Sequence, residues 1–157
     1  MKLVTYLNKT DKQERIGLFH DGLIFDLNTE AENKSLQLPT TMIALLEGGE
    51  KHLETARKIQ QAIEDGSAGD GIALDDVTLL APVPRPPSCR DAYAFRQHVA
   101  TARRNRGVDM IPEFDQFPVF YFTNHNSIIG GGDLIVEDDH LHKLDFEFEA
   151  AIVIGRH

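Results

Sequence analysis

Residues 144–154 read Leu-Asp-Phe-Glu-Phe-Glu-Ala-Ala-Ile-Val-Ile, and this stretch sets the expectations for the rest of the chain. In a β-strand successive side chains face opposite sides. The even positions, Leu144, Phe146, Phe148, Ala150, Ile152 and Ile154, then make an unbroken apolar face. The odd positions gather Asp145, Glu147 and Glu149 on the other face, which turns apolar at Ala151 and Val153. Three like charges on one strand face repel. At the edge of a core they call for a hard divalent cation with oxygen ligands. The same pattern also serves an ordinary strand with a solvated outer face.

Working outward, charge is unevenly placed. Arg85 to Arg106 holds six arginines and one acid, Asp91, whereas Asp133 to Glu149 holds seven acids and one strong base, Lys143. Such a pair of segments suits a site where a metal and arginines hold an anionic organic molecule, and equally suits mutual surface neutralisation. The net charge of −9 argues against nucleic-acid binding, and no apolar run is long enough to span a membrane. With Cys89 as the sole cysteine no internal disulfide can form, so the expected compartment is the reducing cytoplasm.

Upstream, Lys2–Leu7, Arg15–Phe19 and Gly22–Leu27 read as strands, the last two joined by a turn at His20-Asp21-Gly22. Met42–Glu47 reads as a short helix and Glu50–Glu64 as an amphipathic one, with Leu53, Ala56, Ile59 and Ile63 at helical spacing. Residues 65–71 form a loop and Val77–Leu80 a short strand. Ala81–Pro87 carries four of the seven prolines and marks a module boundary. Ser88 with Asp91 makes a capping-box variant that opens a helix running to about Arg104. On that helix Asp91 and His98, seven residues apart, share a face. Val119–Phe122 and Leu134–Val136 read as further short strands. The glycine turn at residues 129–133 lacks the Lys-Ser/Thr ending of a phosphate loop.

Asp91-Ala-Tyr-Ala-Phe-Arg-Gln-His98, Phe117-Pro-Val-Phe-Tyr121 and Leu144-Asp-Phe-Glu-Phe-Glu149, in this order, resemble the fumarylacetoacetate hydrolase family. The resemblance is good from Ala81 to His157 and weaker over residues 1–80. It implies an α+β, β-rich chain: a small N-terminal β module with helices (1–80), then the start of the family's mixed β-roll catalytic domain (81–157). Asp91, Glu147 and Glu149 would be metal ligands, His98 the general base, and Tyr93 and Tyr121 substrate contacts. Arg103, Arg104 and Arg106 compete for a further substrate contact. The implied cofactor is a divalent cation, Mg²⁺ first, with Mn²⁺ and Ca²⁺ as alternatives.

The implied activity is metal-dependent cleavage of a carbon–carbon bond in a small anionic β-diketo or 2-oxo acid, such as an acylpyruvate. Family relatives that decarboxylate, isomerise or hydrate supply alternatives. Members continue for a comparable length beyond the carboxylate strand. The expected product is therefore truncated, split or proteolysed, and inactive alone or active only with a complementing C-terminal half; a homodimer is the other implied partner. A non-catalytic metal-binding or assembly module is the competing reading.

Overall fold

The computed structural model describes residues 1–155, so Arg156 and His157, the end of the expected second domain, lie outside the described residues. Two compact units emerge, one from Met1–Pro84 with the stretch from Ile129 onward, the other from Arg85–Ile128.

The first unit is built on five antiparallel strands. β1 (Leu3–Asn8), β2 (Glu14–His20) and β3 (Leu23–Asp26) form a meander; β4 (Ile72–Ala73) and β5 (Val77–Leu79) flank it, giving the order β4-β3-β2-β1-β5. The β2–β3 hairpin closes through Asp21 and Gly22, both at positive φ (46° and 83°), as a two-residue turn of the twist-compatible kind requires.

The register fixes two faces. Ile16 and Leu18 point to one side, where α1 (Leu27–Asn33), α2 (Met42–Glu47) and α3 (Glu50–Glu64) bring Leu27, Ala31, Met42, Leu45, Ala56, Ile59 and Ile63 into a single buried cluster. Tyr6, Ile24 and Val77 point to the other side and bury one another, with Val4, Phe19 and Ile72 around them. That second face needs no helix, because the sheet curls over itself. β4 and β5 stand at opposite ends of the strand order yet are separated only by a 3-10 turn, Leu74–Asp76. The four steps from Ala73 to Val77 reach at most about 14 Å. A flat five-stranded sheet would hold its edges about 19 Å apart. Gly17 sits inside the curl: a Cβ there would come within 2.7 Å of Ile24 Cγ2 and 3.0 Å of the Phe25 carbonyl.

Asp26 ties the sheet to the helices. Its Oδ2 accepts a 2.6 Å hydrogen bond from the buried Tyr6 hydroxyl, and its Oδ1 accepts from Thr29 N at 2.8 Å, capping α1. Burial and the adjacent carboxylate push the Tyr6 phenol well above its ordinary value.

The N-terminal strands, α2 and α3 follow the sequence expectations. α1, with its polar Asn-Thr-Glu run, is an element for which the sequence carries no expectation above. The expected strand at Leu134–Val136 is absent, and so is the one at Leu144–Ile154, the apolar face of which is open to solvent. A strand is held by backbone bonds to a neighbour, and among the described residues neither segment is paired with one. Alternating side chains alone do not supply that neighbour. The chain here is a mixed α+β structure with a curled antiparallel sheet.

Candidate functional site: the polar face of a two-stranded ribbon

The second unit, Arg85–Ile128, contains most of the expected site residues. β6 (Cys89–Asp91) pairs antiparallel with β7 (Tyr121–Thr123), with Cys89 opposite Thr123, Arg90 opposite Phe122, and Asp91 opposite Tyr121. This corrects the expected helix from Ser88: Asp91 lies in a strand, and the helix, α4, begins only at Arg96 and ends at Asn105. Asp91 and His98 therefore do not share a helix face. The local capping signal lost to a longer-range arrangement. Ser88 Oγ accepts from Arg90 Nη1 at 3.3 Å instead of capping a helix, and the Arg90 guanidinium lies 4.9 Å from the Phe122 ring centre and 5.5 Å from that of Phe120.

Residues directly opposite in an antiparallel pair point to the same side, as do residues two apart on one strand. The ribbon thus has an aromatic face, with Arg90 and Phe122, and a polar face, with Cys89, Asp91, Tyr121 and Thr123. On the polar face the Tyr121 hydroxyl donates to Asp91 Oδ2 at 2.6 Å. The structure brings together an expected metal ligand and an expected substrate contact. Thr123, which no sequence signal singles out, has an Oγ1 shut off from solvent with no hydrogen-bond partner among the described residues.

Tyr93 stacks on Phe114, ring centres 6.3 Å apart and planes 14° from parallel. Arg96 forms a two-pronged ion pair with Asp115 (2.9 and 3.1 Å), anchoring the start of α4 and holding the Asp115 carboxyl below its ordinary value. His98 is exposed on α4, on a shallow groove it shares with Phe95, Thr101, Ala102 and Asn105. No carboxylate is hydrogen-bonded to it among the described residues. Of the three competing arginines, Arg103 is engaged: its Nε donates to the Asp109 carbonyl.

Glu147 and Glu149 lie on the exposed stretch described above, and Asp145 Oδ1 accepts from the Phe146 amide at 2.8 Å. Among the described residues no three His, Cys, Asp or Glu side chains gather closely enough to hold a metal ion; of the implied set, Asp91 belongs to the second unit and Glu147 and Glu149 to the first.

A family model described as the fumarylacetoacetate (FAA) hydrolase C-terminal domain matches residues 88–157, a span that takes in both strands of the ribbon, α4 and the carboxylate stretch. The chain belongs to the fumarylacetoacetate hydrolase family. It is 30% identical to the rat (Rattus norvegicus) mitochondrial oxaloacetate tautomerase Fahd2a over 99% of its own length and 45% of that protein's. It is 28% identical to the bovine (Bos taurus) mitochondrial oxaloacetate tautomerase FAHD2A, over 86% of this chain and 38% of the relative. A fumarylacetoacetate hydrolase domain-containing protein 2 from Pongo abelii is 30% identical over 76% of this chain and 34% of its own. The chain thus spans less than half the length of these relatives.

Members of this family are enzymes that in general use divalent metal ions. The rat and bovine relatives are named as oxaloacetate tautomerases, and both are mitochondrial, which overturns the cytoplasmic placement. The physical reason is simple: a lone reduced cysteine is compatible with any reducing compartment and does not select the cytosol.

Proposed function

We propose that this chain supplies the N-terminal module (1–80) and the opening part of the β-roll catalytic domain (81–157) of an enzyme that shifts protons on a small anionic 2-oxo acid of the oxaloacetate type. The observation that carries this reading is the 30% identity to an oxaloacetate tautomerase along nearly the whole chain. The hydrogen-bonded Tyr121–Asp91 pair on the ribbon supports it.

Keto–enol exchange needs one proton removed from the carbon beside the carbonyl and one placed on the carbonyl oxygen. The C–H electron pair becomes the new C=C bond, and the carbonyl π pair passes to oxygen. An imidazole nitrogen can accept the carbon proton, and His98, the histidine of the family-like segment, would be the base. The phenol of Tyr121 could serve the oxygen end by turning its one proton from Asp91 to the substrate oxygen, and Tyr93 would flank the substrate. Arg104 and Arg106 offer exposed cations for its carboxylates.

Asp91, Glu147 and Glu149 are the positions that would hold a divalent cation, Mg²⁺ first with Mn²⁺ and Ca²⁺ as alternatives, and the ion would stabilise negative charge on the enolate oxygen. A complementing C-terminal polypeptide, or a second copy in a homodimer, is the partner that would complete the site. Cleavage of an acylpyruvate-like substrate is the second reading, favoured by the hydrolase description of the matching family model.

The test assays the isolated chain with enolic oxaloacetate and with an acylpyruvate in Mg²⁺. The expectation is no robust turnover alone, and loss of the enol absorbance once a polypeptide covering the remainder of the relatives is added. Robust turnover by the chain alone would refute its incompleteness. Acylpyruvate cleavage without tautomerisation in the complemented sample would select the second reading, and no activity there would favour a non-catalytic assembly module. Calorimetric titration with Mg²⁺ and Mn²⁺ on the wild type and Glu147→Gln tests the ligand set, since equal binding removes Glu147.

A further inference from the structure

We infer that Thr123 is a third substrate-contacting residue on the polar face of the ribbon, reading an oxygen of the bound 2-oxo acid beside Asp91 and Tyr121. This rests on the oxo-acid reading above and adds a specificity-determining position to it.

The geometry comes from the register. Tyr121 and Thr123 are two apart on β7, and their partners opposite, Asp91 and Cys89, are two apart on β6, so all four side chains emerge on one side. Arg90 and Phe122 take the opposite side and are occupied with each other. Two of the polar-face groups, the Tyr121 hydroxyl and the Asp91 carboxylate, already satisfy one another at 2.6 Å. Thr123 Oγ1 does not take part: it is removed from water and makes no hydrogen bond among the described residues.

Native proteins rarely leave such a group unpaired, and where they do it commonly marks a place where something else supplies the partner. A threonine hydroxyl is both donor and acceptor, and rotation about one side-chain bond exchanges its position with the methyl group. Once that rotation turns the hydroxyl, closed to water as it stands, outward in place of the methyl, a carboxylate or keto oxygen arriving on this face would offer the missing acceptor. Such a contact discriminates well, because an analogue lacking the oxygen would leave the hydroxyl unpaired again.

Thr123→Val keeps the shape and removes only the hydroxyl; Thr123→Ser keeps the hydroxyl and removes the methyl. The full chain and both variants, each with the complementing C-terminal polypeptide, are titrated with pyruvate, the simplest stable 2-oxo acid, in Mg²⁺ by ligand-observed NMR, and the thermal midpoints of the chains are measured without ligand. The expected result is about tenfold weaker pyruvate binding by Thr123→Val, the size of one lost hydrogen bond. Its midpoint should be equal to or above wild type, because an unpaired buried hydroxyl contributes nothing to stability. Thr123→Ser should bind as wild type does.

Unchanged pyruvate binding by Thr123→Val overturns the inference. So does a lowered Thr123→Val midpoint together with weakened binding, which would make the hydroxyl structural, and so does weakened binding by Thr123→Ser. A complemented wild-type sample that binds neither pyruvate nor oxaloacetate instead removes the oxo-acid reading itself, and the role of Thr123 goes with it.

Discussion

The phenol of Tyr121 and the carboxylate of Asp91, thirty residues apart in sequence, meet across a two-stranded ribbon in a 2.6 Å hydrogen bond. Tyr121 is more than half exposed, so the bond lies within reach of a ligand. Tyr121→Phe should leave the thermal midpoint of the chain nearly unchanged and weaken pyruvate binding in Mg²⁺ by about tenfold. Ligand-observed NMR checks this, and equal binding by the variant would remove Tyr121 from the site.

Asp26 serves two partners at once, so its loss should exceed that of either partner. Asp26→Ala leaves the buried Tyr6 hydroxyl unpaired and uncaps α1, for a combined cost of about 2–4 kcal/mol. Tyr6→Phe removes one bond and should cost about 1 kcal/mol. Urea unfolding followed by circular dichroism measures both.

The raised Tyr6 phenol also sets a direction with pH. Its ordinary value is 10.0, and the folded protein holds the proton more tightly than the unfolded chain does. The stability this contributes is fully present below pH 10 and is lost as pH rises from there toward the folded value. Stability should therefore fall above about pH 10, and Tyr6→Phe should flatten that alkaline limb. An unaltered limb in the variant would assign it to other groups.

Gly17→Ala tests the inside of the curl. The added methyl would meet Ile24 Cγ2 and the Phe25 carbonyl, and backbone cannot swing aside as a side-chain tip can. A loss of about 1–3 kcal/mol is expected, read as a lowered urea midpoint.

Phe148 is 98% exposed and Phe146 84%. Phe148→Ser should leave the urea midpoint of the isolated chain within about 0.5 kcal/mol of wild type. It should also reduce binding of a hydrophobic dye and slow aggregation. A marked loss of stability would mean that the residue is buried in solution.

The sequence made the local elements legible. The spacing of Ala56, Ile59 and Ile63 gives α3 its bounds, and Asp21-Gly22 gives the hairpin its turn, because both signals lie within a few residues. α1 had a signal too, in Asp26 as a cap with Leu27 and Ala31 one turn apart, but its polar middle hid it. The errors are non-local. Ser88 and Asp91 satisfy a helix-start pattern, and only pairing with residues 121–123 turns them into a strand. The alternation at residues 144–154 describes how a strand would face if it had a neighbour, and says nothing of whether one is present. For the same reason the polar face of the ribbon could not be read in advance: Thr123 joins Asp91 and Tyr121 only once the register is known.

The strip Ile72–Leu79 borders the curled sheet on both flanks, pairing with β3 at its start and with β1 at its end. Like a hoop on a cask, it leaves neither flank free to fray by itself. A single protease nick within Leu74–Asp76 would loosen both sides together, so this module should resist digestion almost completely until the nick and then come apart as a whole.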